Sequence, residues 1–162
     1  MNFKNLRQIT FFLALVFMPI ECIANTVGIE EANAFSSFIQ DLVQTTNTHK
    51  NGAFCHVGRD TISNAISVQN KSFVNLDSDP SKYISCKAVY IAQGREKGLR
   101  SELDKFNKNN ILTIAIFDGF VESGGMIQVQ MGRRNFELVV NTKKIKESGV
   151  RLNSLVADLI VN

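Results

Sequence analysis

Cysteine and histidine are the residue types here with the most chemistry to offer, and their spacing limits what they can do. Cys55 and Cys86 lie far apart, with no Cys-x-x-Cys arrangement of the kind that supports thiol–disulfide catalysis. His49 sits in the polar run Thr48-His49-Lys50-Asn51, and His56 sits beside Cys55 in a short apolar run. Neither belongs to a His-x-x-His, HExxH or paired Cys/His pattern, so no metal site is expected. His56 reads as an ordinary sheet histidine. No Gly-x-Ser-x-Gly elbow surrounds any serine, and Ser123 in Glu122-Ser123-Gly124-Gly125 has no evident base partner. Asp118 and Glu122 read as hydrophilic loop residues. Gly58-Arg59-Asp60 and Gly94-Arg95-Glu96-Lys97-Gly98 lie where phosphate-binding turns occur. They lack the GxGxxG and GxxxxGK[ST] patterns, so each reads as a glycine turn with a helix cap. The sequence therefore predicts no catalytic residues, no cofactor and no enzyme.

The elements around these residues follow from periodicity. Phe35, Phe38, Ile39, Leu42 and Val43 form one stripe of a helix over 30–45. A buried strand over 53–58 leads to a short helix capped by Asp60, and 71–76 reads as a second strand before the turn Asp77-Ser78-Asp79-Pro80. A strand over 87–92, a charged helix over 95–107 and the continuously apolar strand 111–117 follow. An apolar run buried on both faces suits a central parallel strand. Ile127, Val129 and Met131 alternate with Gln128 and Gln130, and Phe136, Leu138 and Val140 alternate with Glu137 and Asn141. That is a hairpin, linked by Gly132-Arg133-Arg134-Asn135, with one apolar face and one mostly polar face. A helix over 142–148 ends at the C′ glycine Gly149, and the tail 150–161 reads as a last helix. The expected fold class is α/β: a mixed, partly parallel sheet flanked by helices, with a C-terminal β-hairpin and helices.

The N-terminus reads as an export signal. Lys4 and Arg7 precede an apolar run from Ile9 to Ile20, and Cys22-Ile23-Ala24 offers small residues at a cleavage site. The run falls short of the roughly 20 residues that a membrane span needs. Residues 1–24 are thus a predicted signal peptide, cleaved near Ala24, and 25–162 a single domain. Removing Lys4, Arg7 and Glu21 with the signal leaves 16 basic and 14 acidic residues of the original 18 and 15, a net charge of +2. So mild and dispersed a charge argues against a nucleic-acid partner. In an oxidising compartment the remaining pair, Cys55 and Cys86, reads as a disulfide, with two buried thiols as the alternative. Closing that loop would stabilise the fold by roughly 3.7 kcal/mol in the chain-entropy account.

Taken in order, several stretches resemble the YfiR family of periplasmic regulators. They are the first helix with Phe35 and Phe38, Cys55-His56-Val57-Gly58-Arg59-Asp60, Ser85-Cys86-Lys87-Ala88-Val89-Tyr90-Ile91, and Ile111-Leu112-Thr113-Ile114 before Asp118-Gly119-Phe120. Gly124-Gly125-Met126-Ile127, Phe136-Glu137-Leu138-Val139-Val140-Asn141 and Gly149-Val150-Arg151-Leu152-Asn153-Ser154 complete the set.

The resemblance implies an α/β periplasmic domain that inhibits a membrane-bound diguanylate cyclase by binding the cyclase's periplasmic sensor, which lowers cyclic di-GMP and biofilm formation. It also implies a homodimer, sequestration by an outer-membrane peptidoglycan-binding lipoprotein, and a fold that depends on thiol oxidation. The chain departs from the family at Lys87, where histidine is usual. The first helix lacks the aromatic-Pro ending, and the second cysteine pair of some relatives is missing. On this reading the residues expected to touch a partner are Gly124, Gly125, Met126, Ile127, Arg134, Glu137, Leu152 and Ser154. The alternative expectation is a periplasmic domain that senses a small molecule near the strand ends.

Overall fold

The computed structural model describes residues 28–46, 51–133, 135–152 and 154–161, with the side chains of Leu155 and Val161 left aside. The expected signal peptide, His49 and Arg134 lie outside the described residues. No helix among the described residues is long and apolar enough to cross a membrane.

Helix α1 (Ile29–Thr45) buries the predicted stripe, with Phe35, Ile39, Leu42 and Val43 inside. Strand β1 (Ala53–Val57) is followed by α2 (Thr61–Gln69), β2 (Val74–Asn75), a 3-10 turn (Pro80–Ser85) and β3 (Cys86–Ile91). Then come α3 (Leu99–Lys108), β4 (Leu112–Ala115), β5 (Ile127–Met131), β6 (Phe136–Val140), α4 (Thr142–Ser148), α5 (Ser154–Ala157) and β7 (Ile160–Val161). The seven strands make one sheet in the order β2-β1-β3-β4-β5-β6-β7. The first five run parallel, β6 is antiparallel to β5, and β7 runs parallel to β6. The mixed, partly parallel sheet flanked by helices is the predicted class.

Alternation along the strands separates two cores. Phe54, Ala88, Tyr90, Leu112 and Ile114 face the layer of α1 and α2. Cys55, Val57, Val89, Ile91 and Ala115 face the opposite layer, where α3 contributes Leu99, Leu103 and Phe106. Caps set the helix starts. Asp60 accepts from Ser63 N and Ser63 Oγ accepts from Asp60 N, a reciprocal box that opens α2. Asn141 caps α4, and Gly149 ends it in the left-handed region at φ 67°.

The structure corrects three expectations. The tail is not a single helix: it makes the four-residue α5 and then a strand that covers part of β6. A strand edge exposes unpaired backbone groups, and pairing them outweighs continuing a short helix. The second strand shrinks to Val74–Asn75. The polar face expected at β5 is also not solvated at Gln128, which is buried like its neighbours Ile127 and Val129, while Gln130 stays half-buried. Gln128 Nε2 instead donates to Asp118 Oδ1 at 3.3 Å.

Candidate functional site

Cys55 and Cys86 form a disulfide with Cα atoms 5.9 Å apart, and both residues are wholly buried. Register explains how they meet. Ala53 pairs with Cys86, but the next residue, Phe54, pairs with Ala88, so Lys87 is an extra residue in β3. Strict alternation would put Cys86 and Ala88 on the same face. The bulge breaks that alternation and turns Cys86 into the α3 layer beside Cys55, while Ala88 stays in the α1/α2 layer. Gly52 makes the crowded backbone possible. A Cβ there would meet Ser85 O and would sit 3.0 Å from Lys87 N. Cys86 Sγ also lies 3.5 Å from Lys82 O, so the bond ties down the 3-10 turn as well as the two strands.

Beyond the disulfide, the carboxyl ends of β1 and β3 form the topological switch of the sheet. From β1 the chain goes to β2 on one side, and from β3 to β4 on the other. Open α/β sheets bind ligands at such a crevice. On the α2 side, Asp60 Oδ2 accepts from Tyr90 Oη at 2.8 Å and from Gln93 N at 2.9 Å. Burial and the neighbouring Asp60 charge hold the Tyr90 phenol well above the ordinary tyrosine value, so it stays a donor. His56 lies on the same side; its Nδ1–H donates to Gly58 O at 2.8 Å and its ring stacks on Phe73 at 4.5 Å. Those contacts give His56 a structural place, as expected.

On the α3 side, Gly58 N donates to Asp77 Oδ2 at 2.8 Å. Arg95 bridges outward from there, with its Nη2 2.9 Å from Glu102 Oε1 and 3.6 Å from Asp77 Oδ1. Beside this network Lys105 Nζ stands 3.9 Å over the Tyr83 ring. Between α3 and the 3-10 turn is a cavity of about 280 Å³, lined by Asp77, Tyr83, Arg95, Glu102, Lys105 and Phe106 among others. Sequence reasoning missed this cluster. Its members come from two loops, the 3-10 turn and α3, and no spacing announces the approach of Asp77 to Arg95. The glycine turn and Asp60 cap, by contrast, were legible locally. Gly58 has φ 80° and Asp60 caps α2.

The residues expected to touch a partner divide sharply. Gly125, Met126 and Ile127 are buried, the last two completely, so they build the core and present nothing outward. A Cβ on Gly125 would run into the Phe120 ring. Gly124 is half-buried at φ 103°, and its carbonyl accepts from Asn107 Nδ2 at 3.1 Å. Glu137 folds over Gly132 and accepts from Gln130 Nε2 at 3.3 Å. Leu152 packs half-buried against the α1/α2 core, whereas Ser154 is exposed at the start of α5. The outward surface of this region is the hairpin end, where Met131 is 49 % exposed and Arg133 and Asn135 are exposed. Under it Phe136 stacks on Phe38 at 4.5 Å and meets the Phe35 ring at 4.9 Å, tilted by 57°. Among the described residues no group of three or more His, Cys, Asp or Glu is placed to hold a metal ion.

Comparison with known proteins adds fold and family. No curated protein matches the sequence. A crystal structure of a conserved domain protein from Vibrio cholerae O1 biovar El Tor superposes with a TM-score of 0.59 at 8% identity, over 80% of this chain and 59% of that one. An ABC domain in complex with L-Trp from Streptococcus pneumoniae gives a TM-score of 0.55 at 10% identity, over 80% of this chain and 62% of that one. The chain thus spans about three fifths of each structure, and at such identities the likeness is one of fold. The family model described as YfiR/HmsC-like matches residues 32–159, from the first turns of α1 to the residue before β7. That span takes in the disulfide, both layers of helices and the hairpin, and the chain belongs to the YfiR/HmsC-like family.

Proposed function

We propose that this protein is a periplasmic regulator that inhibits an inner-membrane diguanylate cyclase by binding the cyclase's periplasmic sensor, thereby lowering cyclic di-GMP and biofilm formation. Membership of the YfiR/HmsC-like family over residues 32–159 is the observation that carries this reading. The buried Cys55–Cys86 disulfide supports it, because such bonds persist in oxidising compartments. Export through the 1–24 segment, with cleavage near Ala24, belongs to the same proposal.

A regulator of this kind works through a presented surface. The hairpin end supplies one, with Met131, Arg133 and Asn135 exposed and Phe136 stacked on Phe38 beneath them. Pre-organised surfaces bind at lower entropic cost. Homodimerisation and capture by an outer-membrane peptidoglycan-binding lipoprotein are further parts of the proposal. The test is capture of the cyclase from detergent-solubilised inner membranes by the tagged mature chain. Enrichment of a diguanylate cyclase, weakened in Met131→Asp/Arg133→Glu, supports the reading; recovery of no cyclase by folded, oxidised protein overturns it. The cavity between α3 and the 3-10 turn favours a second role, as a sensor of a solute.

A further inference from the structure

We propose that the cavity between α3 and the Pro80–Ser85 turn is a binding site for a neutral polyhydroxyl ligand of monosaccharide size. Charge balance is the first argument. Of the lining groups, Arg95 and Lys105 carry positive charge and Asp77 and Glu102 negative charge, so the site is neutral as a whole. An anion entering it meets two carboxylates, and a cation meets a guanidinium and an ammonium. A neutral ligand avoids both penalties.

Hydrogen-bonding capacity is the second. Lys105 has no carboxylate within ion-pair reach among the described residues, and its three donors stand at the cavity over the Tyr83 ring. Arg95 and Glu102 pair at 2.9 Å with side chains 40 % and 37 % exposed, so the charged heads beside the cavity are open to a ligand's hydroxyl groups. Hydroxyl groups both donate and accept, and each bond to an ionised partner is charge-assisted. Val57, Leu76 and Phe106 among the lining residues offer apolar walls for the C–H faces of a ring. A volume near 280 Å³ is at the small end for ligand pockets, which selects a single sugar over an oligosaccharide.

Calorimetry of the oxidised mature protein tests this, with D-glucose, D-galactose and N-acetyl-D-glucosamine as neutral probes. L-leucine, hexanoate and hexylamine serve as zwitterionic, anionic and cationic controls. The expected result is saturable heat with at least one neutral sugar, weakened about tenfold or more in Lys105→Met, because a hydrogen bond to a charged group is lost. Lys105 is exposed, so that variant keeps the fold, and an unchanged melting curve confirms it. Absence of saturable heat from every sugar overturns the assignment. So does sugar binding unchanged by Lys105→Met, or tighter binding of any of the three controls. These outcomes are independent of cyclase capture, so the site and the regulatory reading fail separately.

Discussion

Replacing both cysteines, as Cys55→Ala/Cys86→Ala, removes the bond that fixes the β3 bulge. The crosslink spans a sequence separation of 31, and its loss restores roughly 3.7 kcal/mol of entropy to the unfolded chain. Both sulfur positions are wholly buried, so the voids they leave bring the total to roughly 4–6 kcal/mol. At about 2.1 cal/mol/K per residue over the mature chain, that lowers Tm by roughly 14–20 °C. A domain at the low end of ordinary stability, about 5 kcal/mol, is then close to unfolding at working temperature. Urea unfolding followed by circular dichroism gives the free energy. Hydrogen exchange gives the location, with protection falling first at β1, the 3-10 turn and the start of β3. A loss under about 1 kcal/mol, or exchange unchanged at those segments, refutes the coupling of disulfide and bulge.

Other substitutions test the packing around it. Gly52→Ala forces a methyl group against Ser85 O and Lys87 N and costs roughly 2–3 kcal/mol in urea unfolding, while a neutral outcome contradicts the close approach. Gly125→Ala drives a methyl into the Phe120 ring and costs roughly 1–3 kcal/mol by the same measurement. Tyr90→Phe removes the bond to Asp60 and costs about 1–2 kcal/mol at neutral pH. Tyr90 also gives a pH signature. Its folded value lies above the unfolded value of about 10, so its contribution is complete below that pH and is lost as pH rises further. Alkaline unfolding of the wild type is accordingly steeper than that of Tyr90→Phe, and identical slopes contradict the assignment.

Local signals made much of this fold legible. The 3.6-residue stripe of α1, the Asp60 cap, the Gly149 stop and the apolar β4 run each specify an element from neighbouring residues alone. What stayed hidden depends on distant pairing. β7 exists because β6 offers an edge, and Gln128 is buried against the loop that carries Asp118. Cysteine arithmetic pointed to the pair Cys55 and Cys86, but not to the bulge that brings Cys86 round to meet it. Three residues of the expected contact set lie inside for the same reason. Met126 and Ile127 carry a family likeness, yet residues at the head of an interior strand are core before they are anything else. The Asp77–Arg95–Glu102 network joins two loops and a helix, and no residue spacing encodes it.

Inhibition of a cyclase is read out by cellular cyclic di-GMP, measured in a host lacking the gene and again after the chain is restored to the periplasm. Deletion raises the level, and supply of the oxidised chain returns it to the parental level. An unchanged level in both strains, with folded and disulfide-bonded protein present in the restored one, contradicts inhibition.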